Sequence, residues 1–458
     1  MAMVNELASF VAAAEFDQLS ATALTQAKIR VLDALGCAIG ALDAGPMAMI
    51  AAQNTEFGGN PLCTLIGGGS TAPDRAAFYN SALVRFLDFN DSYLAPGETC
   101  HPSDNLGGVL AACEYADGTG KEFLTALAVA YQVQCRLSDV APVRARGFDH
   151  TTQGAYALAA GIAKALRLDE DKTANAIAIA GTAFNALRVT RTGALSNWKG
   201  LAYPNTAFGV THAAFLAMHG VTGPNEVFEG NKGFMDAISG HFSLDWTKED
   251  LEKITQTVVK RYNAEIHSQA TIEGVLELKH EHNITASDIR SINVDTFDVA
   301  YNIIGGGEEG EKVTVRTKEE ADHSLPYIIS VAILDGQVLP PQYYLERIQQ
   351  TDVQSLLRKV AIHPLAEFSR RFPAEMPCRI TITLQDGRVL TKDKRDYEGF
   401  LTRPMQWDVA VKKFEQLTEP IISTDLQIAI ENAVKGLETI RIRDLTALLG
   451  SVRMQEKE

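Results

Sequence analysis

The first half of the chain is a succession of stretches built on alanine and glycine, such as AYALAAGIAKAL from Ala155 and TANAIAIAGTAF from Thr173. Alanine has the highest helix propensity. Small side chains also let helix axes approach closely, while giving a strand little to pack. A chain written this way is committed to a tightly packed helical core. Apolar periodicity predicts helices over residues 19–42, 73–87, 106–116, 121–137, 153–166, 171–187 and 203–219. In the first of these, Leu24, Ala27, Val31, Leu32, Leu35 and Ile39 form one stripe, and Ser20 is placed to cap its start. Pro73 falls in a first turn, where its missing N–H costs nothing.

The pattern changes after about Arg261. Ile292, Val294, Thr296 and Val299 begin an alternating, β-branched stretch, and CRITITLQDGRVLTKD sets Cys378, Ile380, Ile382 and Leu384 against polar neighbours. Asp386-Gly387 is the pair that a two-residue hairpin turn prefers. Helical patterns at 268–278 and 327–334 make this region α+β. Helix then returns at 407–417, 423–434 and 442–449. The fold class is therefore mainly α with an α+β part.

Charge excludes several functions. Among 458 residues, 42 basic and 57 acidic side chains leave a net charge of −15. A binder of nucleic acid or of an anionic membrane would present the opposite balance. Any anionic ligand must instead find a local basic pocket. The six cysteines, Cys37, Cys63, Cys100, Cys113, Cys135 and Cys378, have neither C-x-x-C nor iron–sulfur spacing. They read as reduced, buried thiols of a cytoplasmic protein. No apolar run approaches a membrane span, and MAMVNELASF does not read as a secretory signal. In GGGEEGEKVT carboxylates replace what a phosphate loop needs, and His280–His282 belongs to a charged face. The sequence contains no H-E-x-x-H and no G-x-S-x-G.

Polar clusters remain. Residues 87–105 (LDFNDSYLAPGETCHPSDN) are dense in Asp, Ser and His between two apolar helices. Asp88 and Asp91, at i and i+3, can share one face of a helix end. His101 precedes a helix opened by Ser103 or Asp104, and a helix start is a natural holder of a carboxylate. Capping by these side chains is the plain alternative, and a metal held by Asp88, Asp91 and His101 the weaker one. His150 stands ahead of another helix, with Thr151 and Thr152 as cap candidates. Lys199 lies beside Trp198 before a helix, Lys260 and His267 flank the change of pattern, and Asp322, His323 and Tyr327 precede a further helix. Each alone reads as structural. Histidine or lysine recurring at helix entrances in an acidic protein points to convergence on one anionic ligand.

These segments, in this order, resemble the MmgE/PrpD family of 2-methylcitrate dehydratases, cis-aconitate decarboxylases and iminodisuccinate epimerases. The likeness runs from LASFV and LDALGCAIGA through DFNDSYL, HPSDN, GFDHTTQGAYA, NWKGLAYPN, AEIHSQATIEG, ADHSLPY and PCRITITLQDGR. It implies a large helical domain from residues 1–261 and 404–458, with an inserted α+β lid at 262–403. It also implies a homodimer that needs no metal or organic cofactor. By motif match the site at the domain cleft comprises Asp88, His101, His150 and Tyr327 as catalytic residues. Ser92, Lys199, Lys260 and His267 are the matching substrate-binding residues. Asn263 stands where the dehydratase-like pattern has proline, Ser92 where it has threonine, and DHSLPY departs from its D-H-C-[IL]-Q-Y.

The expected activity is a hydro-lyase acting on 2-methylcitrate or a related 2-hydroxy tricarboxylate. Decarboxylation of cis-aconitate and epimerisation of an imino dicarboxylate are the alternatives. Dehydration needs a base for a carbon-bound proton, an acid for the departing hydroxide, and cations for the carboxylates. Charge-assisted hydrogen bonds of the last kind contribute roughly 1.5–3 kcal/mol each.

Overall fold

Small residues sit where helices meet. The computed structural model describes residues 2–193 and 195–452, and the chain divides into two compact units. One comprises Met1–Thr190, Trp198–Val259 and Met405–Glu458; the other comprises Arg191–Asn197 and Lys260–Pro404.

The first unit is helical. Its expected helices are Ala21–Gly40, Pro73–Phe86, Leu106–Tyr115, Gly120–Val140, Thr151–Ala165, Glu170–Ala183 and Trp198–Met218. Ser20 Oγ accepts the Ala23 N–H at 3.0 Å, which makes it the cap it was expected to be. A Cβ on Gly161 would lie 2.9 Å from the Ala130 Cβ, so Gly120–Val140 and Thr151–Ala165 touch backbone to backbone. The C-terminal helix Trp407–Thr418 returns to pack on Ala21–Gly40, where a Cβ on Gly36 would meet the Phe414 ring at 3.2 Å. Thr424–Lys435 and Ile442–Ser451 follow it.

Several features of this unit differ from the reading of the sequence. Helices Met3–Ala13 and Gly45–Phe57 form outside the expected set. A short hairpin, Tyr93–Ala95 with Glu98–Cys100, forms inside the polar stretch; three residues per strand are too few to show alternation. Helix Trp198–Met218 begins before Tyr203 and runs through Pro204. Proline removes one ladder hydrogen bond, and the helix continues across that gap. Lys199 consequently lies in the helix's first turn instead of ahead of it.

The second unit carries a four-stranded sheet in the order Val360–Pro364, Ile289–Thr296, Cys378–Leu384, Val389–Lys394. The first pair is parallel and the others antiparallel. Ile292 pairs with Ile382 and Val294 with Ile380, so the alternating residues fall on one buried face. Helix Gln269–His282 lies on that face, and a Cβ on Gly274 would come within 2.5 Å of Ile380. Helix Leu325–Asp335 completes the α+β part.

Two local expectations are corrected here. Asp386-Gly387 is not a two-residue turn. Leu384 N–H donates to Arg388 O at 2.9 Å and Gly387 N–H to Leu384 O at 3.1 Å, leaving three loop residues with Gly387 at φ +89°. This is a three-residue loop closed by a left-handed glycine, the next commonest hairpin form. The strand stops at Thr296, and Val299 sits in a helical turn opened by Asp298, whose side chain accepts the Val299 N–H at 2.8 Å. All six cysteines are buried and unbridged. Among the described residues no single helix is long and apolar enough to cross a membrane.

Candidate active site

The hairpin in residues 87–105 sets the geometry of the first unit's polar centre. Tyr93 pairs with Cys100, so the next residues outward, Ser92 and His101, end side by side, with Oγ 3.1 Å from Nδ1. Ser92 is held in turn by reciprocal backbone hydrogen bonds of 2.8 Å with Val258. The Asp91 carbonyl lies 2.8 Å from His101 Nδ1. A carbonyl only accepts, so Nδ1 carries the hydrogen and the neutral ring has its lone pair on Nε2.

His150 stands edge-on to His101, with ring centroids 5.3 Å apart, and is stacked on Tyr203 at 6.4 Å. The Tyr203 hydroxyl donates to Asn105 Oδ1 at 2.7 Å, and the Asn105 amide donates to Gln134 Oε1 at 2.7 Å. Burial pushes the Tyr203 hydroxyl well above its ordinary range, so it remains a donor. Thr151 and Thr152 do not cap the helix behind His150. Asp149 does: its carboxylate accepts the Thr151 N–H at 3.2 Å and its carbonyl the Thr152 N–H at 3.0 Å.

A second network surrounds Asp88, which lies just past helix Pro73–Phe86 at φ +54°. That left-handed conformation is one a short polar side chain tolerates. Its Oδ1 meets Arg85 at 2.6 Å and its Oδ2 meets Lys199 Nζ at 3.3 Å; Arg85 also faces Asp104 at 3.7 Å. All four side chains are buried. Within these contacts two cations oppose two carboxylates, and such pairing is how buried charge is tolerated. The amide of Asn90 ties Ser103 Oγ and Asp104 Oδ1 together, at 2.8 Å each.

Asp88 and Asp91 therefore do not share a helix face, because the left-handed residue turns the chain between them. Asp91 belongs to a separate tie. Its Oδ1 accepts from Ser103 N–H at 3.0 Å and Oγ at 2.7 Å, and its Oδ2 accepts from Tyr131 at 2.8 Å. Burial raises its pKa despite the opposing Arg30 charge and these hydrogen bonds. With both oxygens engaged by protein donors, Asp91 is spent on structure and offers nothing to a metal shared with Asp88 and His101.

In the second unit, Glu265 grips His267 twice, accepting from Nδ1 at 2.6 Å and from its backbone N–H at 2.8 Å. Burial pushes the Glu265 pKa up, but the charge and hydrogen bond of His267 and the charges of His323 and Lys260 outweigh it and bring it down to about 2. A second carboxylate–imidazole pair, Asp322 with His323 at 2.6 Å, is braced by Lys318 at 2.7 Å. The two pairs are stitched by the Glu265 N–H on the Asp322 carbonyl at 3.1 Å. Tyr327 is buried at the start of helix Leu325–Asp335, and its hydroxyl donates to the Gln342 carbonyl.

Of the expected site residues, the first unit groups Ser92, His101 and His150, and separately pairs Asp88 with Lys199. In the second unit Lys260 and His267 both bear on Glu265, while Tyr327 is tied to Gln342. Arg85, Tyr203, Asn105 and Glu265 were not singled out from sequence. Arg85 three residues before Asp88 and Glu265 two before His267 are spacings that signal a partner; Tyr203 and Asn105 lie inside the motifs NWKGLAYPN and HPSDN, but no spacing ties them to His150. In the first unit the arrangement supplies a tautomer-fixed imidazole beside a hydroxyl and a lysine held by a carboxylate. These are parts suited to moving a proton on a carboxylate-bearing molecule.

Family models for the MmgE/PrpD N-terminal domain and C-terminal domain match residues 5–247 and 262–439, respectively. The mitochondrial 2-methylcitrate dehydratase of Yarrowia lipolytica is 26% identical over 422 residues, covering 86% of this chain and 79% of that protein. The 2-methylcitrate dehydratase of Salmonella typhi is 26% identical over 376 residues, 76% of this chain and 75% of its own. A fungal alkylcitrate dehydratase, phiI, is 26% identical over 426 residues, with 86% and 83% covered.

Proposed function

The chain belongs to the MmgE/PrpD family, and from that premise we propose that it is a hydro-lyase. In this reading it dehydrates 2-methylcitrate or a close 2-hydroxy tricarboxylate to the aconitate-type alkene, with neither metal nor organic cofactor. The observation that carries the proposal is the His101 arrangement. A backbone carbonyl at 2.8 Å fixes the imidazole with its lone pair on Nε2, in a chain about a quarter identical to named dehydratases.

The chemistry follows from what each group can do. His101 Nε2 takes the proton from carbon beside a carboxylate. The C–H electron pair becomes the new double bond, and the C–O pair leaves with the oxygen, which needs a proton from an acid to depart as water. Lys199, positioned by Asp88, meets a substrate carboxylate and stabilises the charge that grows on it. Ser92, beside the His101 ring, is suited to the substrate hydroxyl. Lys260 and His267 enter the proposal as further carboxylate or oxygen contacts, and His150 and Tyr327 as proton-relay and orienting groups.

The test is a panel of di- and tricarboxylates followed by mass and by ultraviolet absorbance of the new double bond. Water loss from 2-methylcitrate is the expected result, unchanged by a chelator. Carbon dioxide release from cis-aconitate, or epimerisation of an imino dicarboxylate, with no dehydration of any hydroxy acid would overturn the proposal.

A further inference from the structure

The hairpin that presents Ser92 and His101 is too short to hold itself in place. Each of its strands, Tyr93–Ala95 and Glu98–Cys100, has three residues. A two-stranded hairpin on its own is marginal in water at best. Yet the tautomer of His101 depends on how this hairpin ends, because its Nδ1 meets Asp91 O at 2.8 Å and Ser92 Oγ at 3.1 Å. The Tyr93–Cys100 pair is the last rung before Ser92 and His101, so whatever fixes that rung fixes the ring.

Attachments within the first unit supply the missing rigidity. The Glu98 carboxylate accepts the backbone N–H groups of Val143 and Arg144 at 3.1 and 3.0 Å. Ser92 exchanges backbone hydrogen bonds with Val258. A further anchor is made by side chains alone. The Tyr93 hydroxyl donates to Asp139 Oδ1 and accepts from Lys253 Nζ, at 2.8 Å each. Lys253 closes the triangle on Asp139 Oδ2 at 2.8 Å and also stands over the Tyr93 ring at 5.2 Å. Burial pushes the Tyr93 hydroxyl above its ordinary range, so it keeps its hydrogen and its donor direction. Asp139 is held in turn by Arg136 at 3.0 Å, and Arg136 by Glu249 at 2.8 Å. Residues 253–258 therefore grip Tyr93 through a side chain and Ser92 through the backbone.

We propose that Tyr93 is a positioning residue: its hydroxyl, anchored by Asp139 and Lys253, locks the last rung and so holds Asp91 O and Ser92 Oγ on His101 Nδ1. Tyr93 takes no part in proton transfer and acts only through His101. The effect on rate rests on the hydro-lyase reading above; the effect on the His101 ring does not. This anchor can be removed by deleting a single oxygen. Tyr93→Phe keeps the ring that packs with Cys100 and Cys135, and it leaves Asp139 and Lys253 paired with each other. No buried charge is stranded, so the fold should persist.

The test uses the full-length protein with Tyr93→Phe and, separately, Lys253→Met, each checked by thermal melt. ¹⁵N-histidine NMR is recorded without substrate at about pH 8.5, where an ordinary imidazole is neutral. The His101 signals are assigned by their absence from His101→Gln. Wild type should show one His101 tautomer, with the hydrogen on Nδ1, and Tyr93→Phe should show ring nitrogens averaged between both tautomers. With 2-methylcitrate, kcat for Tyr93→Phe should fall on the order of 10-fold with KM little changed, since a misplacement of about 1 Å can cost roughly 100-fold. A wild-type ring without a fixed tautomer overturns the proposal. So does a Tyr93→Phe protein with the wild-type His101 spectrum, or with the wild-type kcat. Should Tyr93→Phe not fold, Lys253→Met removes the same anchor and is read by the same signals. If no hydroxy acid is turned over at all, the hydro-lyase reading fails, and the His101 spectrum alone decides whether Tyr93 positions the ring.

Discussion

Lys413 offers the sharpest test of how the polar centre is supported. It lies on the returning helix Trp407–Thr418, yet its ammonium group sits 2.6 Å from Asp33 and donates to the Phe89 carbonyl at 2.7 Å, between Asp88 and the hairpin. Both side chains of the ion pair are buried, and burial already raises the Asp33 pKa despite Lys413. Lys413→Met keeps the aliphatic stem and removes the charge. Asp33 must then stay ionised without its partner or take up a proton, whichever costs less. At pH 7 protonation limits the loss: measured from the ordinary value of 3.8, at about 1.36 kcal/mol per unit, the ceiling is about 4 kcal/mol. At pH 5 the same ceiling falls to about 1.6 kcal/mol. The lost bond to Phe89 adds about 1 kcal/mol that does not depend on pH. Urea melts of wild type and Lys413→Met at both pH values read the difference directly. The destabilisation should shrink by up to about 3 kcal/mol between pH 7 and pH 5. A loss of the same size at both pH values would show that Asp33 does not titrate and refute the reasoning.

Other perturbations address the site itself. His101→Ala should cut dehydration on the order of 100- to 10,000-fold with an unchanged melting curve, as absorbance of the alkene product would report. Asp88→Asn leaves Arg85 and Lys199 facing one carboxylate fewer; it should raise KM for tricarboxylates or abolish turnover, and cost roughly 3–5 kcal/mol in a denaturant melt. Gly154→Ala would place a Cβ 2.4 Å from the Tyr203 ring, so it should cost about 1–3 kcal/mol and displace the tyrosine that stacks on His150, readable by melting and by tyrosine NMR. For Glu265 the folded pKa of about 2 lies below the ordinary 4.5, so its contribution is fully present above about pH 4.5 and is lost as pH falls towards 2. That contribution is at most about 3 kcal/mol, and the stability gap between wild type and Glu265→Gln should close on acidification.

Helices were legible because their signal is local. Alanine- and glycine-rich periodicity in residues 153–166, or the Ser20 cap ahead of Ala21–Gly40, depends on neighbours three or four positions away. The sheet was legible for the same reason at Cys378–Leu384, where alternation survives for seven residues. It was not legible at Tyr93–Ala95, which is too short to alternate. Motifs located Ser92, His101 and His150, but what each touches depends on pairing that no motif records. Asp88 and Asp91 looked alike in sequence, yet one faces Arg85 and Lys199 while the other is consumed by Ser103 and Tyr131.

By itself, the order of residues determined a mainly helical chain with an α+β segment, an acidic balance hostile to polyanions, and the identity of a set of His, Lys and Asp side chains. Only the tertiary structure decided their chemical states. Which nitrogen of His101 holds its hydrogen, whether Glu265 is ionised, and that Lys413 underpins Phe89 from 324 positions away all depend on what packs against each group. Protonation and orientation are set by neighbours within a few ångströms, and chain separation carries no information about those.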